Sequence, residues 1–198
     1  MKKLLLAVCP FLILAPMAAL AQDDPHAADR EALLVILGGI EDALNARNLT
    51  GALQYLDDDV IITYQDSTVT QGRDGAAEYY NRMMEGSAAI VTEFSTVASV
   101  GAPAIFHGDT AVAFGTNQDR YVLARGLEII LDANWSMTAQ KNAGEWKVIA
   151  LHFSTDLFDN PLLNSATKMN KIMAAGGVAA GVILMLIIGR VRKKPAAA

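Results

Sequence analysis

One cysteine, Cys9, occurs in the 198 residues. It lies in an apolar amino-terminal run. Once that run is removed, neither a disulfide nor a cysteine-based zinc site can form. Histidine is almost as scarce, with only His26, His107 and His152, and none of them stands in the His-x-x-x-His spacing of a helical metal site. A glycine-rich phosphate loop and a Gly-x-Ser-x-Gly nucleophile turn are also missing. Metal, nucleotide and serine-nucleophile chemistry of these kinds is thereby set aside. The middle of the chain is poor in basic side chains as well. Residues 22–165 carry eight Lys and Arg against all 21 Asp and Glu, a surplus of 13 negative charges. So acidic a segment repels nucleic acid and anionic lipid headgroups.

What the chain does have is two apolar ends. Met1-Lys2-Lys3, an apolar run to Leu20 and the small-residue site Ala19-Leu20-Ala21 have the three parts of a secretory signal peptide over residues 1–21. Cys9 sits too early, and follows Val8 rather than a small residue, for a lipoprotein anchor. Residues 172–189 form a second run free of charge. Its 18 residues at ~1.5 Å each cover about 27 Å, just enough to cross a hydrocarbon core. Arg190, Arg192, Lys193 and Lys194 follow in the tail, residues 190–198, and are expected to hold that end in the cytoplasm. The expectation is an exported domain over residues 22–165, a juxtamembrane linker over 166–171, and a single membrane span. The domain would then stand on the periplasmic or other extracytoplasmic side. Gly177 and Gly181 fit a small-xxx-small helix-packing face, one route to a homodimer.

Inside the domain, Leu33, Ile36, Leu37, Ile40 and Leu44 recur at helical spacing, predicting an amphipathic helix over residues 29–47 with Asp29 as its cap. Gly38-Gly39 in its middle suggests close approach of a strand, with a helix break as the alternative. A short helix over 49–56 is expected next, then a turn at Asp57-Asp58-Asp59. That triplet lacks the spacing and glycine of a calcium loop. Residues 60–64 read as a strand continuing to Val69. A turn over 71–75 leads to a third helix over 76–85. Strands are expected over 90–100, 104–107 and 110–116, with a tight turn at Gly108-Asp109. Residues 117–126 read as a polar connection or a strand edge.

The last part of the domain, residues 127–158, carries the clearest pattern. Leu131, Ala133, Trp135, Met137 and Ala139 alternate with Asp132, Asn134, Ser136, Thr138 and Gln140. A second strand puts Val148, Ala150, His152 and Ser154 on one side, after a turn at residues 141–144. The runs Gly144-Glu145-Trp146-Lys147-Val148 and His152-Phe153-Ser154 resemble the final hairpin of SnoaL-like proteins. These belong to the nuclear transport factor 2-like superfamily, α+β cones in which three helices close a curved, mostly antiparallel sheet over a pocket. The element order over residues 29–158 fits that resemblance.

The resemblance implies a pocket, and polar residues on a pocket-facing strand become its candidate chemistry. His152 matches the His-x-Ser position, and its imidazole is suited to proton transfer near neutral pH. A buried histidine serving structure is the alternative. Asp132 is the candidate partner across the hairpin, on a face that is equally a solvated one. Asn134 and Trp135 are candidate ligand contacts on opposite faces, because a slip of one residue exchanges inside for outside. Tyr64, Tyr79 and Tyr80 are candidate phenol donors to a carbonyl or enolate, as in ketosteroid isomerase of the same superfamily. Core packing is the rival role for each. That enzyme's pattern of one tyrosine and two aspartates does not map onto this sequence. No metal or other cofactor is expected. The leading expectation is a membrane-tethered domain binding a small apolar or weakly polar molecule. Its rivals are a cofactor-free isomerase, dehydratase or hydrolase using His152, and an assembly module.

Overall fold

The computed structural model describes residues 24–192. The expected signal peptide and the last residues of the basic tail lie outside them. Helix α1 (Ala27–Asn45) turns the stripe of Leu33, Ile36 and Ala43 into the core. His26, not Asp29, occupies its N-cap position. Asp29 sits in the first turn, where its Oδ1 accepts hydrogen bonds from Lys141 Nζ at 2.6 Å and Trp146 Nε1 at 2.9 Å. It therefore ties α1 to the far hairpin rather than capping the helix. Of the two glycines, Gly38 has open space beside it, whereas a Cβ on Gly39 would run into the Tyr55 ring. The close neighbour is a side chain, not a strand.

The Lys141 and Trp146 donors, in that order of weight, hold the Asp29 carboxyl below its ordinary value of 3.8. A depressed carboxyl stabilises the fold above its unfolded pKa and loses that contribution as pH falls through the folded value. The wild-type chain is thus expected to be more stable than Asp29→Asn at neutral pH, and the gap should close below pH 3.8. Urea titrations of both proteins across that range check this. A gap that stays constant with pH would show that the charge contributes nothing.

Asn48 caps α2 (Leu49–Leu53), its side-chain oxygen accepting from Gly51 N at 3.0 Å. Strand β1 (Leu56–Thr63) begins earlier than the sequence suggested, so Asp57, Asp58 and Asp59 lie in a strand and not in a turn. The strand is irregular between Leu56 and Ile61, and the Arg73 guanidinium braces that stretch through the Leu56 carbonyl and Asp58. A turn with Ser67 at φ 67° separates β1 from β2 (Val69–Gln71), which pairs back on it antiparallel. Helix α3 (Gly72–Met84) opens at Gly72, taking in residues expected to form a turn.

The remaining strands are β3 (Val91–Val100), β4 (Ile105–His107), β5 (Thr110–Leu123), β6 (Glu128–Asn142) and β7 (Glu145–Thr155). They form one curved sheet in the order β2-β1-β7-β6-β5-β3, with β4 on β5. Among the described residues, only the β1–β7 pair is parallel. Ala143 and Gly144 at φ 50° and 88° make the tight β6–β7 turn. The core lies between the concave face and the helices: Leu33, Ile36 and Ala76 meet Val60, Ile62, Trp135, Met137 and Val148.

Two features depart from simple alternation. Strand β5 does not stop at Thr116. It runs on to Leu123 with positions 111, 113, 115, 117 and 119 all buried. In β7, Ala139 pairs with Val148 but Thr138 pairs with Ala150, which leaves Ile149 as an extra residue. This β-bulge exchanges the two faces of the strand beyond it. After Thr155 a five-residue loop, 156–160, leads into α4 (Pro161–Arg192), so the expected linker 166–171 is part of one continuous helix.

Candidate functional site

A cavity of about 200 Å³ lies between the concave face and the three helices. Its walls are mainly apolar, with Leu37, Ile40, Leu53, Met83, Phe94 and Met137 among them. Tyr64, Tyr79, Tyr80 and Trp135 also line it. His152, Asp132 and Asn134 do not. All three are exposed on the outer face of the sheet, His152 opposite Ser136 and Asn134 opposite Ser154. The bulge at Ile149 is the reason for His152: Trp146 and Val148 point inward before it, and Leu151 and Phe153 point inward after it. Asp132 has its carboxylate engaged by Gln118 Nε2 at 2.9 Å on that outer surface. The inward set on β6 is Ala133, Trp135, Met137 and Ala139, all buried.

The polar corner of the cavity comes from residues that the sequence placed in a polar connection or strand edge, not in an inward-facing strand. Continuation of β5 puts Asn117 and Asp119 on the inward face, 5% and 2% exposed. The alternation that buries Ala111, Ala113 and Gly115 predicts both positions if it is followed past Thr116. Their polarity hid them. Gln65 Nε2 donates to Asp119 Oδ2 at 2.8 Å, and the Tyr121 hydroxyl donates to the same oxygen at 3.2 Å. Among the described residues, Asp119 Oδ1 and Asn117 Oδ1 are cut off from solvent and have no partner. On one strand face two residues apart, they stand roughly 7 Å from each other along the backbone. An unpaired buried acceptor costs about 1–3 kcal/mol. Two together make a corner built to receive hydrogen-bond donors.

The phenols around this corner keep their protons. Burial first, then the Asp119 charge, pushes Tyr121 well above the ordinary tyrosine value. Burial, then Asp66, does the same for Tyr79, and burial leads in raising Tyr64 and Tyr80. Tyr64 and Tyr79 stack with ring centroids 3.7 Å apart. Tyr80 also lines the cavity, and its buried hydroxyl donates to no group among the described residues. Asn117, Asp119, Tyr80 and Tyr121 all line one mostly apolar space, a composition suited to holding a small molecule and to moving a proton between it and a carboxylate. Among the described residues, no group of three or more His, Cys, Asp and Glu is arranged to hold a metal ion.

Behind Trp135 a second, open hollow runs between α1 and the turn after β3. Its one charged group, Arg30, is committed to the Ala104 carbonyl and to Asp24.

No curated protein matches the chain. Solved structures do match in fold. A type 2 hexachlorocyclohexane dehydrochlorinase, LinA, superposes with a TM-score of 0.59 at 17% identity, covering 65% of this chain and 86% of that one. The LinA-type3 dehydrochlorinase of Novosphingobium barchaimii gives 0.58 at 16%, covering 65% and 87%. A nuclear transport factor 2-like protein of Salmonella enterica serovar Typhimurium gives 0.55 at 15%, covering 65% and 91%. At these identities the likeness concerns the fold alone. The family model described as a SnoaL-like domain matches residues 40–148, more than half of the chain. With the helices, the curved sheet and the cavity arranged as they are, the chain belongs to the SnoaL-like domain family, with the nuclear transport factor 2-like α+β fold.

Proposed function

We propose that the domain is a membrane-anchored receptor pocket for a small, mostly apolar molecule that carries a hydroxyl or another hydrogen-bond donor. The observation that carries this is the pair of buried, unpartnered acceptors, Asp119 Oδ1 and Asn117 Oδ1, in an otherwise apolar cavity. The apolar walls supply affinity through burial, and the corner supplies orientation. Anchoring rests on α4, which contains a stretch long and apolar enough to cross a membrane, Pro161–Ile188. The basic residues after it favour a cytoplasmic carboxyl end, with the domain on the other side.

A second reading has the same corner perform chemistry. A carboxylate beside a protonated phenol, in a mainly apolar space, is the equipment for cofactor-free proton abstraction, as an isomerase or dehydratase requires. Asp119 then takes the proton, with Tyr121 and Gln65 holding the carboxylate in place. His152, on the outer face, has no part in this version.

The test compares small aromatic alcohols with their methyl ethers, which match in shape but cannot donate. The alcohols are expected to bind the purified full chain about 10-fold or more tightly, the worth of one hydrogen bond to a charged group. Calorimetric titration gives the ratio. Equal affinity for alcohol and ether would leave the corner without a role in recognition.

A further inference from the structure

Beyond the cavity, one end of the sheet has an apolar rim that nothing in the described chain covers. Strand β7 stops at Thr155 opposite Ala133, whereas β6 begins five residues further out, at Glu128. The β5–β6 hairpin therefore projects about 17 Å beyond the end of β7. Its turn carries exposed Arg125 and Leu127, with Ile130 exposed on the adjoining strand. Ile90 joins them, since its carbonyl accepts from Ala124 N at 2.9 Å and its own side chain is exposed. The loop that leaves β7 toward the same end presents Leu157 and Phe158, 74% and 84% exposed. Isolated exposed apolar residues need no explanation, but several large ones gathered at one end do.

Helix α4 starts from this loop and touches β6. Ten residues separate Pro161 from Lys171, about 15 Å of helix, before the charge-free run begins. That length is close to the reach of the hairpin. With α4 running alongside the hairpin that it touches, a membrane that takes up residues 172–189, with Lys168 and Lys171 extending to its headgroups, would lie near the depth of the hairpin turn.

We infer that this rim, formed by the β5–β6 turn and the β7–α4 loop, rests on a zwitterionic bilayer surface. Leu127 and Phe158 enter the interface, and Arg125 meets lipid phosphate. The inference rests on the membrane-anchoring reading of α4 and adds a second contact to it. The surplus of negative charge on the domain disfavours an anionic surface, so the lipid is of the phosphatidylcholine kind. Docking also fixes the cavity: Asp119 lies five residues from Ala124 along β5, which places the polar corner about 17 Å from the turn.

The test uses the full chain in phosphatidylcholine vesicles, with Cys9→Ser leaving no other cysteine. Single cysteines are introduced as Leu127→Cys, Phe158→Cys, Asn142→Cys and Val182→Cys, and each is labelled with a fluorophore. The lipid carries a doxyl quencher near the headgroup or deeper in the chain. Labels at positions 127 and 158 are expected to lose most of their emission to the headgroup quencher. The label at 142, in the turn at the opposite end of β6, should lose little, and the one at 182 should respond to the deep quencher. Quenching at 182 with none at 127 and 158 would overturn docking and leave the anchor standing. No quenching at 182 would overturn the anchor and docking together. Labels at 127 and 158 that are shielded from a water-borne quencher but untouched by the lipid one would assign the rim to a second copy of the chain, which also overturns it.

Discussion

Asp119→Asn is expected to stabilise the domain while removing the cavity's preference for hydroxylated molecules. The residue is 2% exposed. One of its oxygens accepts from Gln65 and Tyr121, and the other has no partner. In asparagine the side-chain oxygen can keep the first two bonds, and a neutral NH2 group replaces the unpaired oxygen of a charged carboxylate. Relieving the desolvation of a buried, half-partnered charge is worth about 1–3 kcal/mol, so the urea midpoint should rise. The same change replaces the acceptor offered to a ligand hydroxyl, and alcohol affinity should fall about 10-fold, to the level of the ether. Native sites commonly hold such opposed effects, in which function keeps a group that folding alone would discard. Two measurements on one variant, urea unfolding and alcohol titration, decide the matter. A variant that loses stability would make Asp119 a structural anchor instead.

The largest loss of stability is expected from Trp135→Ala. The indole is 5% exposed and belongs to the main core cluster. It lies between the cavity and the hollow behind it, lining both. Its ring rests on Gly115, where a Cβ would collide with the ring and with the Ser99 carbonyl. Its Nε1 donates to the Thr116 carbonyl at 3.1 Å. Truncation removes the ring contacts, joins the two hollows and leaves that carbonyl without its donor. The cost should be about 3–5 kcal/mol, the range for a large aromatic cut to alanine in a packed core. Equilibrium urea unfolding measures it. A loss under about 1 kcal/mol would mean the site had collapsed around the gap, which the backbone packed at Gly115 argues against.

Much of the fold was legible because periodicity is a local property. The spacing of Leu33, Ile36, Leu37 and Ile40 made α1 a helix before any partner was known. The alternation from Leu131 to Gln140 made β6 a strand, with Trp135 and Met137 on its apolar side, where the cavity indeed lies. The Trp146-Lys147 and His152-x-Ser154 runs pointed to the family that the match over residues 40–148 establishes. Less was legible of the site. Asn117 and Asp119 resembled a solvated connection, because nothing in a string of polar residues says that a neighbouring strand and three helices will enclose it. Asp57 to Asp59 misled in the same way, since three acidic residues in a row read as a turn although pairing and Arg73 keep them in β1.

The sequence by itself determined the type of the strongly periodic segments, α1 and the β6–β7 hairpin, together with the apolar stretch that can cross a membrane, the acidic composition and the absence of cysteine from residues 22–165. These follow from near neighbours and composition, which do not depend on where distant segments come to rest. The tertiary structure alone decided which face looks inward in β7 beyond the bulge and in β5 beyond Thr116. A single extra residue at Ile149 turned His152 out to solvent and brought Leu151 and Phe153 in. An uninterrupted β5 carried Asp119 into the core. Side chains on a strand alternate with a period of two, so one inserted residue or one strand prolonged past its expected end reverses the assignment. Which of these occurs is set by register against the neighbouring strands, a long-range pairing that the local pattern does not contain.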